Sequence, residues 1–221
     1  MKEITFKQIK TCEEINLYIE KGDFVLGVMG FTEHSRAHAM KVATTAGTIL
    51  KKLGYDENII ELAKITGYMH DIGNCINRND HAHSGAIIAF QILKGLDMNP
   101  EYIATIIAAI GNHDEKTGTA VDPVSAAVIL ADKTDVRRNR VRNREKSSFD
   151  IHDRVNYAAV SSKLDIDLEK KTIHLEIELD DKMCSVMDYF EIFLQRMLMC
   201  KRAAECFDMK FKMSANGSKV C

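Results

Sequence analysis

The chain has 221 residues, 46% apolar and 28% charged, with 30 Lys plus Arg against 32 Asp plus Glu and a net charge of −2. That length suits about 1.5 ordinary domains, the composition excludes a disordered chain, and the charge balance argues against a general nucleic-acid coat protein. No charge-free stretch approaches the ~18 apolar residues of a membrane span, and six cysteines without a CxxC pair read as free thiols of a reduced, cytoplasmic compartment.

The opening MKEITFKQIK is charged throughout and shows no leader pattern. Two prolines and no tryptophan favour long helices. Residues 6–12 and 13–21 form two short apolar-periodic stretches, the second closed by Gly22. A loop at 27–31 leads to a first long helix, capped at Thr32 and stopped at Gly54, with Ala39, Val42, Ala43, Ala46, Leu50 and Leu53 in one stripe. Residues 57–71 repeat the pattern up to Gly73. A third helix is expected over 83–93, a fourth over 100–110 from Pro100, and a fifth from the N-cap Asp122 with Pro123 in its first turn.

Beyond residue 146 the texture changes. KLDIDL (163–168) and TIHLEIEL (172–179) alternate with period two, which predicts an antiparallel hairpin. A final helix over 185–207 carries Val186, Tyr189, Phe190, Phe193, Met197 and Cys200 along one side, and the tail from Lys210 reads as frayed. A lone hairpin is marginal in water, so it needs the last helix or a partner chain. Homo-oligomerisation through 160–207 is the corresponding expectation.

The histidines and aspartates separate this chain from other helical proteins. His34 sits near the start of the first long helix, His70-Asp71 ends the second, and His83 falls in the third. His113 follows the fourth, and Asp132 lies in the apolar fifth. A buried Asp in Ala-Val-Ile-Leu-Ala-Asp would cost several kcal/mol without compensation, as an order of magnitude, and a nearby cation supplies it. His38 is either a pocket residue or half-exposed, and His81 either contacts substrate or faces water. Glu33 and Asp114 are weaker candidates for handling protons beside the first and last histidines.

EHSRAHAMKVA, the HDIG of 70–73 and the LADK of 130–133 together resemble the HD superfamily of metal-dependent phosphohydrolases, over about residues 30–145. His83 and His113 resemble the extra ligands of its two-metal branch, and Ala-Asp-Lys looks closest to the bacterial diadenosine-polyphosphate hydrolases. DEKTG after His113 departs from the paired His and GYP triplet of the cyclic-dinucleotide enzymes, and Asn74 replaces a Lys common after HDIG. The resemblance implies an HD-domain helical bundle at 25–146; the region after 146 matches neither branch, and with the patterns read above the expected fold is mainly α, with N-terminal helices at 1–24 packing on the bundle and a C-terminal β-hairpin plus long helix at 147–221. It implies that His34, His70, Asp71 and Asp132 hold one metal, with Asp71 bridging to a second held by His83 and His113. The imidazole and carboxylate donors suit two divalent ions of Fe, Mn, Co, Ni or Zn.

From Lys133 to Lys146 seven basic residues stand against two acidic ones. On a continuous helix Arg140 would share the face of Asp132, so Lys133 and Arg140 are the candidate phosphate contacts, with Asp71 and Lys133 as the catalytic pair. The expected activity is metal-dependent hydrolysis of a phosphate ester or anhydride in a nucleotide or another small phosphorylated metabolite. The alternative is a non-catalytic sensor that binds metal and nucleotide. A third reading, an RNA-binding or RNA-cleaving protein, draws on the arginine run but is opposed by the overall acidity and the lack of an RNA-binding motif.

Overall fold

The computed structural model describes residues 4–221; the first three residues of the expected N-terminal segment and the side chain of Lys146 lie outside the described residues. Helix α1 (Phe6–Thr11) opens with a capping box in which the Thr5 hydroxyl accepts from the Gln8 N–H and the Gln8 side chain accepts from the Thr5 N–H. Helix α2 (Glu13–Val28) runs through Gly22 instead of ending there. A Cβ at Gly22 would sit 3.1 Å from the Cys75 nitrogen and 3.2 Å from the Asn74 Cβ, so this glycine serves close approach between α2 and the turn after Asp71.

Helix α3 (Arg36–Lys52) begins at the N-cap Ser35, whose hydroxyl accepts from the Ala37 N–H, three residues later than the expected Thr32 cap. It packs on α4 (Glu57–Met69) at glycine-level separation: a Cβ at Gly67 would lie 2.9 Å from the Ala43 Cα. A short 3-10 turn (Ile72–Cys75) follows, then α5 (His81–Gly95) and α6 (Pro100–Gly111). Helix α5 starts two residues earlier than expected, at a left-handed Asp80 (φ 56°), a conformation that Asp tolerates better than most residues. Helix α7 (Pro123–Lys133) is held by a capping box between Asp122 and Ser125 and is buried from Val124 to Ala131, with α3, α4, α6 and the last long helix packed around it.

The chain leaves helical conformation after Lys133. The continuous helix expected to carry Arg140 is absent; Arg140 lies instead in a 3-10 turn (Arg138–Arg140). After α8 (Ile151–Ala158) come β1 (Ala159–Asp167), β2 (Thr172–Leu179), α9 (Val186–Glu205), β3 (Lys210–Ala215) and β4 (Ser218–Lys219). The sheet order is β1-β2-β3-β4, with β2 antiparallel to β1 and parallel to β3. Strand β2, helix α9 and strand β3 therefore form a β-α-β crossover, the connection that parallel pairing requires.

Ile173, Leu175, Ile177 and Leu179 of β2 and Met213 of β3 are buried in the same core as the helices. The expected hairpin is present, but the expected frayed tail is not: residues from Lys210 supply the third and fourth strands. Asn216 (φ 50°) and Gly217 (φ 74°) make the tight turn between them, where positive φ at both positions suits Asn-Gly. The hairpin thus finds its partners, β3 and α9, within the chain. No helix among the described residues is long and apolar enough to cross a membrane.

Candidate metal centre

Two close backbone approaches and two imidazole–carbonyl contacts build the site. Gly67 lets α4 meet α3, bringing the rings of His38 and His70 to 5.3 Å between centroids. His70 caps α4 with its Nδ1 2.8 Å from the Gly67 carbonyl oxygen. Gly73 then turns the chain under α5. A Cβ there would fall 2.0 Å from the His81 oxygen and 2.5 Å from the Gly85 nitrogen, so any side chain at 73 would drive α5, and His81 with it, away. His113, directly after α6, sets its Nδ1 2.7 Å from the Ile110 carbonyl oxygen.

Six ligand-type side chains from five elements converge. His38 Nε2 lies 3.7 Å from Asp71 Oδ2 and 3.3 Å from Asp132 Oδ1, and His70 Nε2 lies 3.2 Å and 3.6 Å from the same two oxygens. On the other oxygen of Asp71, Oδ1, His81 Nε2 stands at 3.3 Å and His113 Nε2 at 3.7 Å, with 3.1 Å between the two nitrogens. Asp71 therefore divides its carboxylate between two groups of donors. The groupings His38, His70, Asp71 and Asp71, His81, His113 each bring their ligand atoms within 4.8 Å of one another, as do His70, His113 and Asp132.

The donors fit a metal. Every one of the four imidazoles has its Nδ1 engaged: His38 with Asp135 Oδ2 at 2.8 Å, His70 and His113 with the carbonyls above, and His81 with the Arg78 carbonyl at 3.1 Å. An Nδ1–H held by an oxygen leaves the Nε2 lone pair free to ligate, the arrangement usual for metal-bound histidine. The Nε2 atoms of His38 and His70 are buried without a hydrogen-bond partner. Two such orphans would cost ~1–3 kcal/mol each, which a cation between them and the carboxylates removes.

The field is consistent with this. Burial opposes charge on Asp71, but His70 and hydrogen bonds from His113, His70 and His81 hold its carboxyl well below the usual range. Burial likewise opposes charge on Asp132, and Lys133, His38 and His70 overcome it. Burial disfavours a proton on His70, yet the Asp71 and Asp132 carboxylates raise it to about 10. His113 drops to about 4, from burial first and then from the neighbouring positive charges of His70, His81 and Lys133. The pocket demands positive charge but has room for little of it as protons.

Of the residues picked from sequence, His70, Asp71, His113 and Asp132 lie in the cluster. His34 does not. Because α3 starts at Arg36, His34 precedes the helix, its Nδ1 2.7 Å from the Thr32 carbonyl oxygen and its ring 5.6 Å from that of His38. His38, one turn further on and buried, occupies the position expected of His34. His83 is a second correction: its side chain is 57% exposed and, among the described residues, pairs with Asp80 at 3.7 Å, whereas His81, 2% exposed, faces the cluster.

Lys133 is not free for a phosphate; its Nζ lies 2.8 Å from Asp132 Oδ2 and 2.7 Å from Glu115 Oε2. Arg140 is buried, donating to the Glu33 carbonyl at 2.9 Å and the Asp135 carbonyl at 2.8 Å, and so ties the loop before α3 to the segment after α7. Sequence reasoning missed Asp135, which holds His38, and Arg196 of α9, whose Nε is 3.2 Å from Glu115 Oε1. Asp71, His81, His113 and Asp132 open onto a cavity of about 470 Å³ whose walls include Phe31, Arg78 and Arg196.

The family model described as "HD domain" matches residues 36–155. The chain is 25% identical over 194 residues to the uncharacterized protein MJ1020 of Methanocaldococcus jannaschii, covering 77% of this chain and 74% of that protein. It is 32% identical over 108 residues to ribonuclease Y of Thermosipho melanesiensis and 33% identical over 122 residues to that of Campylobacter hominis. Those matches take in 48% and 54% of this chain but only 20% and 21% of the ribonucleases, whose remaining length has no counterpart in the alignment.

Proposed function

The chain belongs to the HD-domain family, and on that premise we propose that it is a metal-dependent phosphohydrolase whose substrate is a nucleotide or a similarly small phosphorylated molecule. The observation that carries this reading is the placement of the His/Asp cluster on a cavity of about 470 Å³. That size falls within the roughly 300–1,000 Å³ of small-molecule sites. His38, His70, Asp71 and Asp132 would hold one divalent cation of Fe, Mn, Co, Ni or Zn, and Asp71, His81 and His113 a second. Such a pair supplies charge neutralisation at a phosphoryl group and acidifies a water.

The chain's own residues do the rest. Asp71 offers one oxygen to each group of donors. Lys133, held by Asp132 and Glu115, fixes the Asp132 carboxylate rather than the substrate. Arg78 and Arg196, with side chains 21% and 25% exposed, line the cavity together with the buried Lys133 and Arg140, and their greater exposure makes them the phosphate contacts of this reading. Asp114 Oδ2, 3.4 Å from His81 Nδ1, helps orient that imidazole.

The test is phosphate release from a panel of nucleoside mono-, di- and triphosphates and dinucleoside polyphosphates with added Mn or Fe. Dinucleoside polyphosphates belong in it because LADK resembles the enzymes that cleave them. Arg196→Ala should raise KM about tenfold or more at unchanged metal content, the scale of one charge-assisted phosphate contact. A protein that retains metal and nucleotide but turns nothing over would be the sensor instead. The ribonuclease Y relatives favour a second reading, cleavage of an RNA phosphodiester. A short oligoribonucleotide in the same panel decides between them, since a substrate limited to the enclosed cavity excludes long RNA.

A further inference from the structure

A second cavity lies outside the metal centre, an open groove of about 550 Å³ between the segment after α7 and the start of β1. Three guanidiniums line it, those of Arg137, Arg138 and Arg144, and no carboxylate does. Arg138 is fixed in place: its Nε donates to the Tyr157 carbonyl at 2.6 Å, its guanidinium lies 4.7 Å over the Tyr157 ring, and its Nη2 stands 3.8 Å from Asp180 Oδ2. A cation so anchored loses little freedom on meeting an anion. Arg144 is exposed and, among the described residues, held by no hydrogen bond or ion pair, so its charge is uncommitted. Val141 and Val160 add apolar wall. A ligand that couples phosphate to an apolar or aromatic body meets both kinds of lining.

The groove is also wired to the metal centre. Arg137, which lines it, grips Asp135 with two bonds, Nε to Oδ1 at 2.6 Å and Nη2 to Oδ2 at 2.9 Å. The same Asp135 Oδ2 receives His38 Nδ1 at 2.8 Å. Anything that draws Arg137 toward the groove loosens the carboxylate that orients His38.

We propose that this groove is a second, non-catalytic binding site for a nucleoside phosphate, and that its occupancy weakens the grip of His38 on the metal through Arg137 and Asp135. The count of two sites rests on the metal cavity also taking a nucleotide, whereas loss of one binding component in Arg144→Glu tests the groove without that premise; the link rests on His38 being a metal ligand. Equilibrium dialysis of the 221-residue, Mn-loaded chain with a non-hydrolysable ATP analogue should count two sites. Arg144→Glu, which reverses an exposed charge and touches nothing in the metal cavity, should weaken one site by about tenfold or more and leave the other and the metal content unchanged. Indistinguishable isotherms for wild type and Arg144→Glu overturn the site. Linkage is reciprocal, so saturating analogue should lower Mn affinity severalfold in wild type but not in Arg144→Glu, read by chelator competition without any activity assay. Two sites with unchanged Mn affinity overturn the link to His38.

Discussion

His81 and His83 are two residues apart, and the structure places them in opposite surroundings. His81 is 2% exposed with Nε2 3.3 Å from Asp71 Oδ1, while His83 is 57% exposed. Four-ligand zinc sites bind with ~10–16 kcal/mol, so one imidazole carries about 2.5–4 kcal/mol, or on the order of 10²–10³ in affinity. His81→Ala should therefore release the metal shared with Asp71 and His113, with a fall of that size, while the ion held by His38, His70 and Asp132 stays. His83→Ala removes an exposed side chain and should shift affinity by no more than about 0.5 kcal/mol, a factor of roughly two. Elemental analysis of both variants gives the stoichiometry, and titration against a chelator gives the affinities. Loss of one ion in His83→Ala with two retained in His81→Ala would refute the placement of α5.

Further expectations follow from neighbouring contacts. Asp135→Asn keeps the shape but not the charge that orients His38, and should cost about 10–100-fold in metal affinity; because it also leaves Arg137 and the buried Arg140 facing a neutral amide, Tm should fall as well. Gly73→Ala sets a methyl 2.0 Å from the His81 oxygen; it should destabilise the fold by about 3 kcal/mol or more by thermal denaturation and lower metal content at the His81 side first. Below about 10 the apo protein keeps a proton on His70 that a metal must displace, so affinity should rise by about tenfold per pH unit from pH 6 to 8 in chelator competition, and a flat profile contradicts the pairing of His70 with Asp71 and Asp132. Self-association through 160–207 no longer follows from an unpaired hairpin, but Met187, Leu194 and Leu198 of α9 remain 78%, 47% and 39% exposed. If they form the contact, Leu194→Asp should convert a dimer to a monomer in sedimentation.

The helices were legible because their apolar stripes and caps agree: Asp122-Pro123 opens α7, and Pro100 opens α6 where the pattern places it. The two histidines that lie outside the cluster, His34 and His83, mark where such patterns lose force. His38 lies four and eight residues before Val42 and Ala46, so it belongs to the stripe already recognised in α3. Its phase distinguishes it from His34, but a helix capped at Thr32 rather than Ser35 makes both look helical. No comparable signal existed for α5. Ile87 and Phe90 follow His83 at helical spacing as convincingly as Gly85 and Ala89 follow His81, yet both are exposed, at 62% and 40%. Only the contact with Gly73 decides which face turns inward.

The last strands show a different kind of loss. Asn216-Gly217 is a strong local hairpin signal, but the strand after it, Ser218–Lys219, is too short to read as alternation. Strand β3 pairs with β2, from Thr172↔Lys210 to Ile177↔Ala215, across more than 35 residues and a full helix. Parallel pairing of that kind leaves no local trace, because the crossover helix, not a turn, sets the register. That same helix, α9, carries Arg196 to the metal cavity, where it pairs with Glu115 and through it with Lys133 and Asp132. The strands that looked like an appendage thus hold in position a cationic side chain at the site, and a polar chain from Arg196 to Asp132 joins the C-terminal sheet to the His/Asp cluster.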